Sequence, residues 1–125
     1  ERFGKIIALS SALIIHEIKD QKPGFKNSMA DYDYYTSVFG QLDQLEESRN
    51  NPEKQIKELL KNGKTIPDLY MACGTEDFLL EENRAFRDFL AEKGASLCYK
   101  ESAGIHDWKF WNEYLDKGIR WALEE

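Results

Sequence analysis

An acid and an imidazole stand at matching places in this chain. Pro67-Asp68-Leu69-Tyr70-Met71-Ala72-Cys73-Gly74-Thr75-Glu76-Asp77 is a short apolar run that ends at glycine and then at acids. Ser96-Leu97-Cys98-Tyr99-Lys100-Glu101-Ser102-Ala103-Gly104-Ile105-His106-Asp107-Trp108 is a second run, and it ends at Gly-x-His. Asp77 and His106 each fall just past the carboxyl end of a predicted strand, where open α/β sheets carry their sites. A carboxylate on Nδ1 of an imidazole fixes the tautomer and stabilises the imidazolium, so that Nε2 can move protons. The spacing predicts a contact of roughly 2.6–3.2 Å between Asp77 and the Nδ1 edge of His106. Glu76 offers a second carboxylate next door, whereas His16 has no partner pattern.

The elements that must place this pair alternate between strand and helix. Glu1-Arg2-Phe3-Gly4 reads as a helix end or turn, and Lys5-Ile6-Ile7-Ala8-Leu9 as a buried parallel strand. Ser10 and Ser11 follow it, and Ala8-x-Ser10-x-Ala12 loosely mimics the small-residue surround of a strained nucleophile turn. Leu13-Ile14-Ile15-His16-Glu17 lacks the cap and period of the helix such a turn should enter, so Ser10 and Ser11 read better as loop serines beside the site. Leu69–Cys73 is a second strand. Leu79, Asn83, Phe86, Phe89 and Leu90 then share a helix face, and Gly94 closes that helix. Ser96–Glu101 is a strand of mixed polarity, as suits a sheet edge. A last helix starts at Asp107 as N-cap and is expected to bury Trp111, Leu115, Ile119 and Ala122. The order strand, insertion, strand, helix, strand, helix predicts an α/β fold of parallel strands with flanking helices.

Residues 14–66 read as a helical insertion between the first two strands of a single domain spanning 1–125. Lys22-Pro23-Gly24 marks a turn, and Asn51-Pro52 is a helix start whose stripe is Ile56, Leu59 and Leu60, ended by Gly63. Asp31 and Asp33 flank Tyr32 without the rest of a calcium loop, so they read as capping and surface acids among packed aromatics, and no metal is expected. If the insertion lies over the site, Tyr34, Tyr35 or Phe39 would help to shape a pocket.

Composition narrows the classes. With 42% hydrophobic and 32% charged residues the chain reads as globular, and 125 residues hold one domain at most. A net charge of −6 argues against a nucleic-acid surface. No apolar run approaches the roughly 18 residues of a membrane span, and no signal-peptide pattern opens the chain. The first residue is Glu1, so the reading is of a processed, cropped or excised chain. Cys73 and Cys98 sit inside apolar runs, which predicts buried free thiols in a reducing, cytoplasmic compartment.

Gly74-x-x-Asp77, Gly104-Ile105-His106-Asp107-Trp108 and Phe110-Trp111 resemble the C-terminal half of bacterial α/β-hydrolase esterases. The tributyrin esterase and esterase D (S-formylglutathione hydrolase) groups are the most similar, with feruloyl esterases nearby. The likeness runs over residues 1–13 and 67–123, and implies that 14–66 is the family's variable, cap-like insertion and 1–125 a single partial domain. In that family the acid precedes the histidine and both follow a serine. The resemblance puts the acid on Asp77 rather than Glu76 and the base on His106 and calls for no cofactor, while Trp108 and Trp111 read from their place in the last helix as core or pocket wall, with substrate binding by Trp108 as the alternative. It implies a small ester as substrate, hydrolysed through an acyl-enzyme.

One departure stands out: the Gly-x-Ser-x-Gly elbow that should precede this half is nowhere in the chain. The nucleophile and the oxyanion amides are therefore expected outside it, in a missing N-terminal half or a second chain. The chain by itself is expected to be inactive and to pair through the open edge of its first strand. The contrasting reading is a non-catalytic α/β module, or a degenerate hydrolase half that pairs with another chain.

Overall fold

The computed structural model describes residues 3–124, so Glu1 and Arg2 of the expected opening turn lie outside the described residues. The elements run β1 (Lys5–Leu9), α1 (Ile15–Ile18), α2 (Tyr32–Phe39), a 3-10 turn at Leu42–Gln44, α3 (Pro52–Lys61), β2 (Asp68–Gly74), α4 (Leu80–Glu92), β3 (Leu97–Ser102) and α5 (Trp108–Leu123). They divide into two compact units, one formed by the chain up to Leu13 with that from Thr65 onward, the other by Ile14–Lys64.

The first unit is a three-stranded parallel sheet in the order β1-β2-β3. Ile7 lies opposite Tyr70, and Tyr70 opposite Cys98. β2 is central and deeply buried from Leu69 to Cys73. Fully burying side chains of this size is worth about 1.5–3 kcal/mol each, so the loop that leaves β2 starts from a firmly held point. Alternation sends Tyr70 and Ala72 to one face, where they pack with Phe110, Tyr114, Ile7, Leu9, Trp111 and Trp121. α4 packs on β2 and β3 and buries Asn83, Phe86 and Leu90. Arg84 of α4 grips Glu101 of β3 through Nε at 2.9 Å and Nη2 at 3.0 Å, and the Tyr99 hydroxyl adds a third bond to that carboxylate at 2.7 Å.

Two expectations for this unit need correction. α5 does start from the Asp107 cap, whose carboxylate accepts from Phe110 N at 3.0 Å. Its buried stripe, however, is Phe110, Tyr114 and Gly118, while Leu115 and Ile119 stay exposed at 43% and 45%. The reason is Gly118: a Cβ there would sit 2.9 Å from Ile7 Cγ2 and 3.4 Å from Tyr70 Cδ1, so the helix lies close on the sheet along the line that carries no side chain. β1, expected to be covered on both faces, is only half-buried: α5 packs on the face that carries Ile7, while Ile6 on the other face is exposed. Cys73 is buried as expected and Cys98 is half-buried; both are free.

The second unit is helical. Asp31 caps α2 by accepting from Tyr34 N, and Asn51 caps α3 by accepting from Glu53 N with Pro52 opening the helix. Ile56 is buried and Leu60 exposed. α1 is a short helix that the run Leu13–Glu17 did not announce. His16 bonds Glu53 at 3.0 Å. Among the described residues no helix is long and apolar enough to cross a membrane.

Candidate active site

The loops leaving β2 and β3 carry Asp77 and His106. Gly74 brings them together: its backbone lies so close to the second loop that a Cβ would meet Gly104 O at 2.2 Å. No side chain fits there, which is why the first loop opens on glycine.

The Asp77 carboxylate is buried and committed on both oxygens. Oδ1 accepts from Leu79 N at 2.8 Å and Oδ2 meets His106 Nδ1 at 3.0 Å. The first bond fixes the rotation of the carboxylate, and the second fixes that of the ring. The Asp77 side chain has no exposed surface, while that of His106 is 32% exposed. The contact length and the ring edge are those the spacing predicted. With the Nδ1 edge turned to a carboxylate, Nε2 is the nitrogen able to take a proton.

Aromatic rings brace the imidazole. Phe78 lies 5.0 Å from it between centroids at 47°, and Trp111 lies 4.8 Å away edge-on at 88°. Trp108 stands against Trp111 at 5.2 Å and is 71% exposed, with Phe78 and Ile105 exposed nearby in the same loops. Trp111 Nε1 donates to Ser10 Oγ at 3.0 Å. Ser10 is buried, has the left-handed φ of 46°, and donates its backbone N–H to Ala72 O. Ser10 thus sits under the indole as its hydrogen-bond acceptor. Ser11 offers its carbonyl to Asn83 Nδ2 at 3.0 Å.

Glu76 faces away from the ring. Its Oε2 accepts from Gly104 N at 2.8 Å and from Thr75 Oγ1 at 2.6 Å, and these two donors, the hydroxyl foremost, hold the carboxyl below the usual range. Burial pushes the Cys73 thiol up to about 12, so it is not a thiolate at neutral pH. Among the described residues no three His, Cys, Asp or Glu side chains converge as a metal set would.

The structure brings Asp77 and His106 together, places Trp108 within the adjoining aromatic cluster, and leaves His16 in the other unit. Phe78 on the ring had no signal in the sequence, and although Ser10 and Glu76 were read as lying beside the site, their contacts with Trp111 and Gly104 were not. Each contact joins segments far apart in sequence or turns on a loop's path, so no spacing rule reaches it.

No family model matches the chain. It is 43% identical over 121 residues to an acetyl esterase of Caldicellulosiruptor saccharolyticus, covering 97% of this chain and 46% of that protein. An S-formylglutathione hydrolase from Staphylococcus aureus superposes with a TM-score of 0.79 at 22% identity, over 98% of this chain and 46% of that one. The fluorophosphonate-binding serine hydrolase F of the same organism gives 0.80 at 22%, over 99% and 46%. A ferulic acid esterase gives 0.57 at 17%, over 96% and 42%. The chain spans about half the length of each of these proteins.

Proposed function

We propose that the chain is one part of an α/β-hydrolase esterase and supplies the acid and the general base of an ester-hydrolysing serine triad, a reading supported by its 43% identity to an acetyl esterase. The observation that carries this reading is the Asp77 Oδ2 to His106 Nδ1 contact at 3.0 Å. His106 Nε2 removes the proton of a serine hydroxyl, whose oxygen adds to the ester carbonyl. As the tetrahedral adduct collapses, the imidazolium gives that proton to the departing alcohol. His106 then activates water by the same route to release the acid, while Asp77 holds the ring and balances its charge.

The serine and the oxyanion donors lie in the remaining half of the protein. That half covers the unpaired edge of β1, and residues 1–125 alone do not turn over ester. The substrate is a small ester with a short acyl group, in line with the name of the acetyl esterase relative. Phe78 and Trp108, exposed beside His106 and Trp111, form part of its wall. Free thiols at Cys73 and Cys98 suit a reducing, cytoplasmic setting.

The test is to treat the full-length protein with a fluorophosphonate and map the adduct by peptide mass spectrometry, alongside p-nitrophenyl acetate hydrolysis. The expected adduct lies on a serine outside residues 1–125. An adduct on Ser10 or Ser11 would move the nucleophile into this chain. Neither labelling nor turnover would favour a non-catalytic α/β module.

A further inference from the structure

We propose that Glu76 is a positioning residue whose carboxylate holds Gly104, and through Gly104 the loop that presents His106 to Asp77. The proposal rests on the triad reading above.

The β2–β3 ladder ends at the pair Gly74 and Ser102, followed by one further rung in which Thr75 N donates to Ser102 O at 2.9 Å. Beyond it the chains must part to make room for Asp77 and His106. Glu76 bridges them there with both its backbone and its side chain. Glu76 N donates to Gly104 O at 3.0 Å, and Gly104 N donates to Glu76 Oε2 at 2.8 Å. Both backbone polar groups of Gly104 thus end on one residue, two positions before His106. Gly74 closes the other side, since only a residue without a Cβ leaves space for Gly104 O.

A carboxylate suits this place better than another backbone carbonyl. A charge-assisted hydrogen bond is shorter and about twice as strong as a neutral one. The Thr75 hydroxyl, 2.6 Å from Oε2, aims the carboxylate and helps to keep it ionised. Ala103 and Ile105 on either side of Gly104 are exposed, so packing reaches this stretch of the loop through Gly104 itself, which lies between Gly74 and the Phe110 ring. Without Glu76 the loop keeps its glycine but loses the bond that sets its height over Asp77. A misplacement of about 1 Å in such a pair can cost about 10²-fold in rate.

The experiment uses the full-length protein and two readouts. Glu76→Ala should lower kcat on a short p-nitrophenyl ester by about 10²-fold at unchanged KM. Glu76→Gln, whose amide oxygen still accepts from Gly104 N, should recover most of it. Thr75→Val, which releases the carboxylate without removing it, should lower kcat by a smaller factor, and it decides the case if Glu76→Ala does not fold. In parallel, the Nδ1–H proton of His106 is followed by NMR in ¹⁵N-histidine-labelled protein and assigned by its loss in His106→Gln. It should exchange faster in Glu76→Ala and persist in Glu76→Gln. Wild-type kcat together with an unchanged Nδ1–H in Glu76→Ala would overturn the proposal. So would a loss of kcat that Glu76→Gln fails to restore while the Nδ1–H stays put, which would point to the charge itself. If the wild-type protein turns over no ester, the triad reading fails, and the Nδ1–H exchange alone decides the role of Glu76.

Discussion

The indole N–H of Trp111 ends on the hydroxyl of Ser10, 3.0 Å away and 101 residues earlier in the chain. The bond ties the end of β1 to the first turn of α5, and it holds the ring that stands edge-on against His106. Ser10 accepts this bond in a backbone conformation that few non-glycine residues adopt. The contact holds the tryptophan in place. Ser10→Ala in the full-length protein should therefore lower stability by about 1 kcal/mol, the scale of one hydrogen bond to a partly buried donor, while ester turnover persists. Urea denaturation read beside the ester assay checks this. Complete loss of turnover in a folded Ser10→Ala protein would make Ser10 the nucleophile.

Gly74→Ala should do greater harm than its size suggests. The new methyl would stand 2.2 Å from Gly104 O, and backbone cannot swing aside as a side-chain tip does. Overpacking of this kind typically costs about 1–3 kcal/mol. Here the strain must also part Asp77 from His106. Thermal melts and kcat should fall together, whereas an alanine that leaves both unchanged would show the two loops to be looser than the 2.2 Å approach implies.

Acid should weaken the grip of α4 on β3. Arg84 foremost, with help from Tyr99, holds Glu101 at about 2 against an ordinary 4.5. A folded-state value below the unfolded one means that the carboxylate stabilises the fold above the ordinary value, and that this share fades as pH falls from about 4.5 toward about 2. Glu101→Gln should lower stability at neutral pH and flatten its decline over that window. Equal slopes for the variant and the wild type in urea titrations between pH 6 and pH 2 would remove Glu101 from the account.

Thiol chemistry should separate the two cysteines. Cys73 is buried with its thiol pushed up to about 12, and Cys98 is half-buried. Brief iodoacetamide treatment of native protein near neutral pH should modify Cys98 before Cys73, as peptide mass spectrometry would show. Preferential alkylation of Cys73 would contradict the packing of β2.

What could be read from the amino-acid order was what local chemistry decides. Asn51-Pro52 and Asp107 announced their helices because a cap is a contact between near neighbours. The strands Lys5–Leu9 and Asp68–Gly74 declared themselves as apolar runs, and the glycines before Asp77 and His106 marked where the chain must turn. The buried face of α5 was harder. Trp111, Leu115 and Ile119 make as good an apolar stripe as Phe110, Tyr114 and Gly118, and only the approach of Ile7 and Tyr70 to Gly118 chooses between them. Helical spacing holds no record of that approach. The Glu76–Gly104 bond was hidden for a similar reason, since it exists only after two strands have paired and diverged. Two adjacent acids look alike in sequence; their loop turns Asp77 inward to the ring and Glu76 across to the backbone.

In the proposed triad His106 moves the protons and Asp77 holds it in place. The most direct measurement is kcat for short p-nitrophenyl esters in the full-length protein, comparing wild type with His106→Ala and Asp77→Asn, each first shown to be folded. His106→Ala should show no detectable turnover, because neither proton transfer then has a carrier. Asp77→Asn should lose about 10⁴-fold, the scale set by the acid of other serine triads. A folded His106→Ala protein that cleaves these esters at the wild-type rate would contradict that triad.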